Sequence, residues 1–162
     1  MRRTTAALAH VLAVTVLAGG FAGIVGPTDA QAAAPPVKFG KWFVDLPGTD
    51  RATSSSLNKE YIVVTNTTRK AMSLKGYKVR DSKAKHTYTF GTFTLGAKKS
   101  VTIHTGSGRN SAANLYWSQR NFVWNNTGDT ATLLNPKGKI VTSCTYVKPK
   151  KSTSKTGGFK TC

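Results

Sequence analysis

Residues 124–129 read Trp-Asn-Asn-Thr-Gly-Asp, a density of aromatic, amide, hydroxyl and carboxylate groups that an active-site or metal-binding loop would need. Three chemistries could use it. Calcium requires several oxygen ligands, usually with two or more carboxylates close in sequence. Asn125, Asn126, Thr127 and Asp129 supply one carboxylate within a strongly basic chain. Zinc requires paired ligands at short spacing, and His86, His104, Cys144 and Cys162 form no such pair. Acid–base hydrolysis requires convergent titratable groups. Beyond residue 32 the acids are Asp45, Asp50, Glu60, Asp81 and Asp129, and no two are spaced as a recognisable motif. Asp45 and Asp50 bracket Leu46-Pro47-Gly48-Thr49, which reads as a turn.

The histidines are no better placed. His104 precedes Thr105-Gly-Ser-Gly108, but that run lacks the strand–turn–helix setting of a nucleophile elbow. His86 shares parity with Tyr88 and Phe90, as a partly buried strand histidine would. The expectation is no catalytic residue, no cofactor and no metal. Trp124, Asn125, Asn126, Gly128 and Asp129 then form a turn that builds the fold, with Trp124 as an apolar anchor and Asp129 capping the turn.

The elements around that turn read as short strands. Glu60–Thr65 is rich in β-branched and aromatic residues and ends at Asn66-Thr67-Thr68. Gly76–Arg80, His86–Phe90, Phe93–Leu95 and Ser100–His104 alternate apolar with polar residues, the period of a half-buried strand. Leu115–Trp117 and Phe122–Trp124 are aromatic segments flanking a polar loop, and Thr130–Leu134 and Lys139–Cys144 are strands joined by Asn135-Pro-Lys-Gly138, a hairpin connector. No stretch reads as a helix. Seven to eight short strands over about 110 residues predict an all-β, immunoglobulin-like sandwich.

The ends of the chain differ from this pattern. Met1-Arg2-Arg3, the apolar run from Ala6 to Val25 and Ala30-Gln31-Ala32 have the order of a secretory signal peptide over residues 1–32. The alternative is a transmembrane anchor, which Gly19-Gly20, Gly23 and Gly26-Pro27 disfavour by interrupting the run. Without residues 1–32, which carry Arg2, Arg3 and Asp29, 22 basic and 5 acidic side chains remain, a net charge of +17. That field favours anionic partners. Residues 148–162 hold five lysines and no acid among Ser, Thr and Gly, so they read as a flexible basic tail following a domain at 33–147. Cys144 and Cys162 suit one disulfide in an exported protein, with a buried free thiol at Cys144 as the alternative.

An ordered set of landmarks resembles the lamin tail domain family, an immunoglobulin-like module: Asn58–Asn66, Leu74–Asp81, His86–Phe90, Val101–Gly106 and, most specific, Val123–Leu133 followed by Gly138. The likeness is closest to small secreted actinobacterial versions. Tyr77 departs from it, because the family's Leu-x-Gly-Trp pattern has tryptophan there. The resemblance implies a sandwich without catalytic residues of its own and a role in targeting or interaction. The resulting expectation is a secreted binding module, extracellular or wall-associated, with no membrane span after cleavage. Its partners would be anionic polymers, cell-wall polymer or nucleic acid, or proteins. The candidate contacts are Lys83, Lys85, Lys98, Lys99, Lys148, Lys150, Lys151, Lys155 and Lys160. The alternative is a small secreted hydrolase or nuclease using His86 or His104 with Asp129.

Overall fold

Alternation along the chain sorts side chains between a core and a solvent face, and one interruption of it shapes the first strand. In Val37–Asp45 (β1), Val37 and Phe39 are buried, and so are Trp42 and Val44, so the apolar phase slips by one residue. A β-bulge absorbs the slip, because Phe39 pairs with Val64 while Trp42 pairs with Ile62, three steps against two. Gly40 sits in that bulge, where a Cβ would lie 3.3 Å from Val63 Cγ1.

The computed structural model describes residues 33–48, 51–150 and 157–162; the expected signal peptide lies outside them, as do Asp50, Lys151 and Lys155. The remaining strands are Tyr61–Asn66 (β2), Met72–Ser73 (β3), Lys78–Arg80 (β4), Thr87–Thr89 (β5), Thr94–Leu95 (β6), Ser100–His104 (β7), Asn114–Tyr116 (β8), Gly128–Leu134 (β9), Ile140–Val147 (β10) and Gly158–Thr161 (β11). They form a five-stranded sheet, β11-β1-β2-β7-β8, a four-stranded sheet, β10-β9-β4-β5, and a small pair, β3-β6. All pairings are antiparallel except β7 with β8. The architecture is the expected immunoglobulin-like sandwich.

Between the two larger sheets lies one hydrophobic core, with Phe39, Trp42, Ile62, Val64, Val101 and Ile103 from one side and Val79, Ala131, Leu133 and Tyr146 from the other. Aromatic edges lock its centre: Trp124 meets Trp42 at 4.8 Å and Trp117 at 5.7 Å between ring centroids, both T-shaped. Tyr77, at the tryptophan position of the family pattern, packs partly buried against this core. The β9–β10 hairpin closes as its sequence predicts. Asn135 Oδ1 accepts hydrogen bonds from the Lys137 and Lys139 amides, and Gly138 takes φ +79°.

Three expectations need correction. The strand count is eleven among the described residues rather than seven or eight, because two- and three-residue strands leave almost no periodic trace. Ser54–Leu57 forms a one-turn helix (α1) where none was expected; Thr53 caps it reciprocally with Ser56, and Leu57 is its buried residue. The segment read as a flexible tail returns to the fold as β11, paired with β1. Gly157 turns the chain there at φ +61°, with a Cβ position 2.6 Å from the Asp45 carbonyl oxygen, and Gly158 lies against the Tyr146 hydroxyl. The Cys144–Cys162 disulfide ties this strand to β10, with Cα atoms 5.8 Å apart.

Candidate functional site

The loop before β9 is held by carboxylates that point at backbone amides. Glu60, entering β2 after α1, is 0% exposed. Its two oxygens accept hydrogen bonds from the Val123 and Trp124 amides, both at 3.0 Å. Asp129, the second residue of β9, accepts from Asn125 at 3.1 Å through one oxygen. Through the other it accepts from Ser82 at 3.1 Å and Thr130 at 2.7 Å. Asn125 Oδ1 accepts from the amide and the hydroxyl of Thr127, which closes the turn over Asn126 and Gly128. A Cβ on Gly128 would approach the Tyr146 carbonyl oxygen to 3.3 Å. The arrangement can stabilise a turn, but its carboxylate oxygens face amides of the chain itself. The role of Glu60 was not legible in the sequence; a lone acid ahead of a β-branched run was the one available sign.

The two histidines lie apart, one beside each of the larger sheets. His86 precedes β5 and its Nδ1 lies 3.1 Å from Asp81 Oδ2, while its amide donates to Asp81 Oδ1. His86, Asp81 and Asp129 line a pocket of ≈ 130 Å³ together with Ser82, Lys83, Lys85, Val123 and Asn125. His104, at the end of β7, places Nδ1 2.7 Å from the Asn58 carbonyl oxygen and Nε2 2.9 Å from Asn114 Oδ1. Each of these contacts is to an oxygen of Asp81, Asn58 or Asn114 rather than to a hydroxyl that the ring could activate. Among the described residues, no three His, Cys, Asp or Glu side chains are placed to hold a metal ion.

The described candidate lysines lie on several separate turns and strands. Lys83 and Lys85 sit on the β4–β5 turn. Lys98 and Lys99 sit on the turn before β7, at the opposite end of that strand from His104, and the Lys98 ammonium donates to the Thr67 carbonyl. Lys148 is paired with Asp45 at 2.9 Å, and Lys150 and Lys160 are exposed.

Acids behave in the opposite way. Asp45, Glu60, Asp81 and Asp129, the four described, are all buried, at 5, 0, 6 and 7% exposure. The described surface therefore carries cations but no exposed Asp or Glu side chain.

A further concavity lies elsewhere, on the outer side of the five-stranded sheet. It measures ≈ 450 Å³ and is lined by Phe43, Leu46, Pro47, Asn58, Lys59, Tyr61 and His104. Phe43, Lys59 and Tyr61 were not expected as site residues, because strand parity alone does not tell a solvent-facing aromatic from a core one.

Among the described residues, no helix is long and apolar enough to cross a membrane. The Lamin Tail Domain family model matches residues 31–148. No curated protein matches the chain.

Proposed function

The chain belongs to the lamin tail domain family, and on that footing we propose that it is an exported, non-catalytic interaction domain that binds anionic polymers by charge. The observation that carries this reading is the one-sided surface. Every described acid is buried and used on the protein's own amides, on His86 or on Lys148. A net charge of +17 beyond residue 32 is therefore expressed almost undiluted at the solvent boundary.

The mechanism is counterion release: lysines replace condensed cations along a polyanion, with little demand on sequence or stereochemistry. Lys83, Lys85, Lys98, Lys99, Lys150 and Lys160 are exposed for that purpose. Lys148 contributes less, because Asp45 neutralises it. Lys151 and Lys155 join the same set by sequence. Cell-wall polymers and nucleic acids both provide the required charge. The disulfide supports a location in an oxidising, extracytoplasmic compartment. No observation favours the hydrolase reading, since neither histidine contacts a hydroxyl and Asp129 serves the loop backbone.

Titrating the chain from Ala33 to Cys162 against DNA, heparin and wall polymer tests the proposal. Binding to all three at low salt, weakening as salt rises, is expected. Absence of binding at low salt overturns it.

A further inference from the structure

Register across the five-stranded sheet brings five ring-bearing residues into one line. On the outer face Phe159 of β11 pairs with Phe43 of β1, Phe43 with Tyr61 of β2, Tyr61 with His104 of β7, and His104 with Tyr116 of β8. The row crosses every strand of the sheet. Four interstrand steps of about 4.8 Å give it a length of about 19 Å. Phe43 and Tyr61 stack at 5.9 Å with planes 15° apart, and His104 and Tyr116 at 5.1 Å with planes 21° apart. Between these two stacks, Tyr61 and His104 meet at 6.0 Å and 59°, and there the ≈ 450 Å³ pocket opens.

We infer that this face binds single-stranded nucleic acid, with bases packed on the aromatic row and phosphates held by Lys41 and Lys59. The inference rests on the polyanion reading above and names the polymer and the surface. Cross-strand aromatic pairs stabilise any sheet, but that role requires neither a pocket nor an exposed terminal ring. Here Phe159 is 59% exposed at the sheet edge, with the Lys41 ammonium 5.3 Å from its ring centroid, and Lys59 lines the pocket.

Charge complementarity selects an anion. Asp45 and Glu60 are buried, and Asp81 and Asp129 belong to the other sheet and its turn, so no described acid opposes a phosphate on this face. Ring geometry selects a base over a sugar. Rings that stack on each other present positive edges, which attract the π face of a base, whereas a sugar ring packs on a broad open aromatic face. Both nitrogens of His104 are engaged with Asn58 and Asn114, which fixes the orientation of that ring within the row. Duplex DNA keeps its bases stacked inside and cannot use the row.

Binding of a short oligothymidylate, the same sequence as a duplex, heparin and a neutral chitin oligosaccharide would be compared on the chain from Ala33 to Cys162. Tyr61→Thr, Phe159→Thr and the ring-retaining Tyr61→Phe would be measured alongside, each confirmed folded by its thermal transition. The oligothymidylate should bind more tightly than the duplex. Each Thr variant should lose on the order of tenfold or more of that affinity, with an unchanged salt slope and unchanged heparin binding, and Tyr61→Phe should retain it. Equal affinity for single strand, duplex and heparin, unaltered in the variants, overturns the inference and leaves the polyanion reading standing. Salt-independent binding of the chitin oligosaccharide that the Thr variants abolish overturns it in favour of a glycan. Failure to bind any polyanion overturns both.

Discussion

Replacing Glu60 with glutamine should destabilise the fold by about 2–4 kcal/mol. The two oxygens of this fully buried side chain accept from the Val123 and Trp124 amides at 3.0 Å each. An amide in the same place keeps one acceptor and turns an NH₂ group toward the other N–H. A lost bond to a carboxylate is worth about 1.5–3 kcal/mol, and the orphaned buried donor adds about 1–3 kcal/mol. The neutral side chain is easier to bury, which offsets part of the loss. Urea unfolding followed by fluorescence reads the result well, because Trp42, Trp117 and Trp124 all lie in the core. A midpoint lowered by about 1–2 M, with the slope unchanged, is the expected outcome for a slope near 2 kcal/mol/M. A Glu60→Gln midpoint indistinguishable from that of the parent would refute the claim that this carboxylate clamps the loop.

Three further outcomes follow from the same geometry. Asp129→Ala leaves the Ser82, Asn125 and Thr130 amides without their acceptor; it should cost about 3 kcal/mol or more in denaturant unfolding while heparin affinity of the folded protein holds. Cys162→Ser opens a disulfide whose half-cystines are 18 residues apart; stability should fall by about 3 kcal/mol, and amide hydrogen exchange should accelerate most in β11. The Tyr146 hydroxyl is buried without a hydrogen-bond partner, and burial, then the Asp45 carboxylate, push its pKa up while Lys148 opposes them. A raised folded-state pKa leaves stability fully present below the ordinary tyrosine value of about 10 and loses it as pH rises through the folded value. Tyr146→Phe should therefore be neutral or stabilising at pH 7 and should shallow the alkaline loss measured between about pH 10 and 12. Burial also raises the pKa of Tyr88, so part of that loss should remain.

Much of the sandwich is legible in the sequence because its longer strands are half-buried and local patterning reports that directly. Ser100–His104 alternates as read, and the Asn-Pro-Lys-Gly connector closes its hairpin by side-chain bonds to its own backbone. The disulfide partners follow from there being two cysteines in a chain that reads as exported. Other features escape because they depend on distant partners. The bulge in β1 breaks the period of two between Phe39 and Trp42. Strand β11 follows a lysine- and serine-rich run, so composition argues for a free tail, and what holds it is β1 and Tyr146, far away in sequence. Removing residues 148–162 to test for a role of the tail would therefore also remove an edge strand and half of the disulfide. The burial of all four described acids is invisible to charge counting, since the amides that hold Glu60 lie 63 and 64 residues downstream. The aromatic row likewise exists only once five strands are in register.

A surface with exposed lysines and no exposed described acid should bind polyanions by counterion release. The most direct test is the dependence of affinity on salt for the chain from Ala33 to Cys162 and a DNA oligonucleotide. Log K should fall linearly with log salt at a slope of about −3 or steeper, as expected when four or more phosphates are neutralised. A slope near zero, or no binding at low salt, would contradict it.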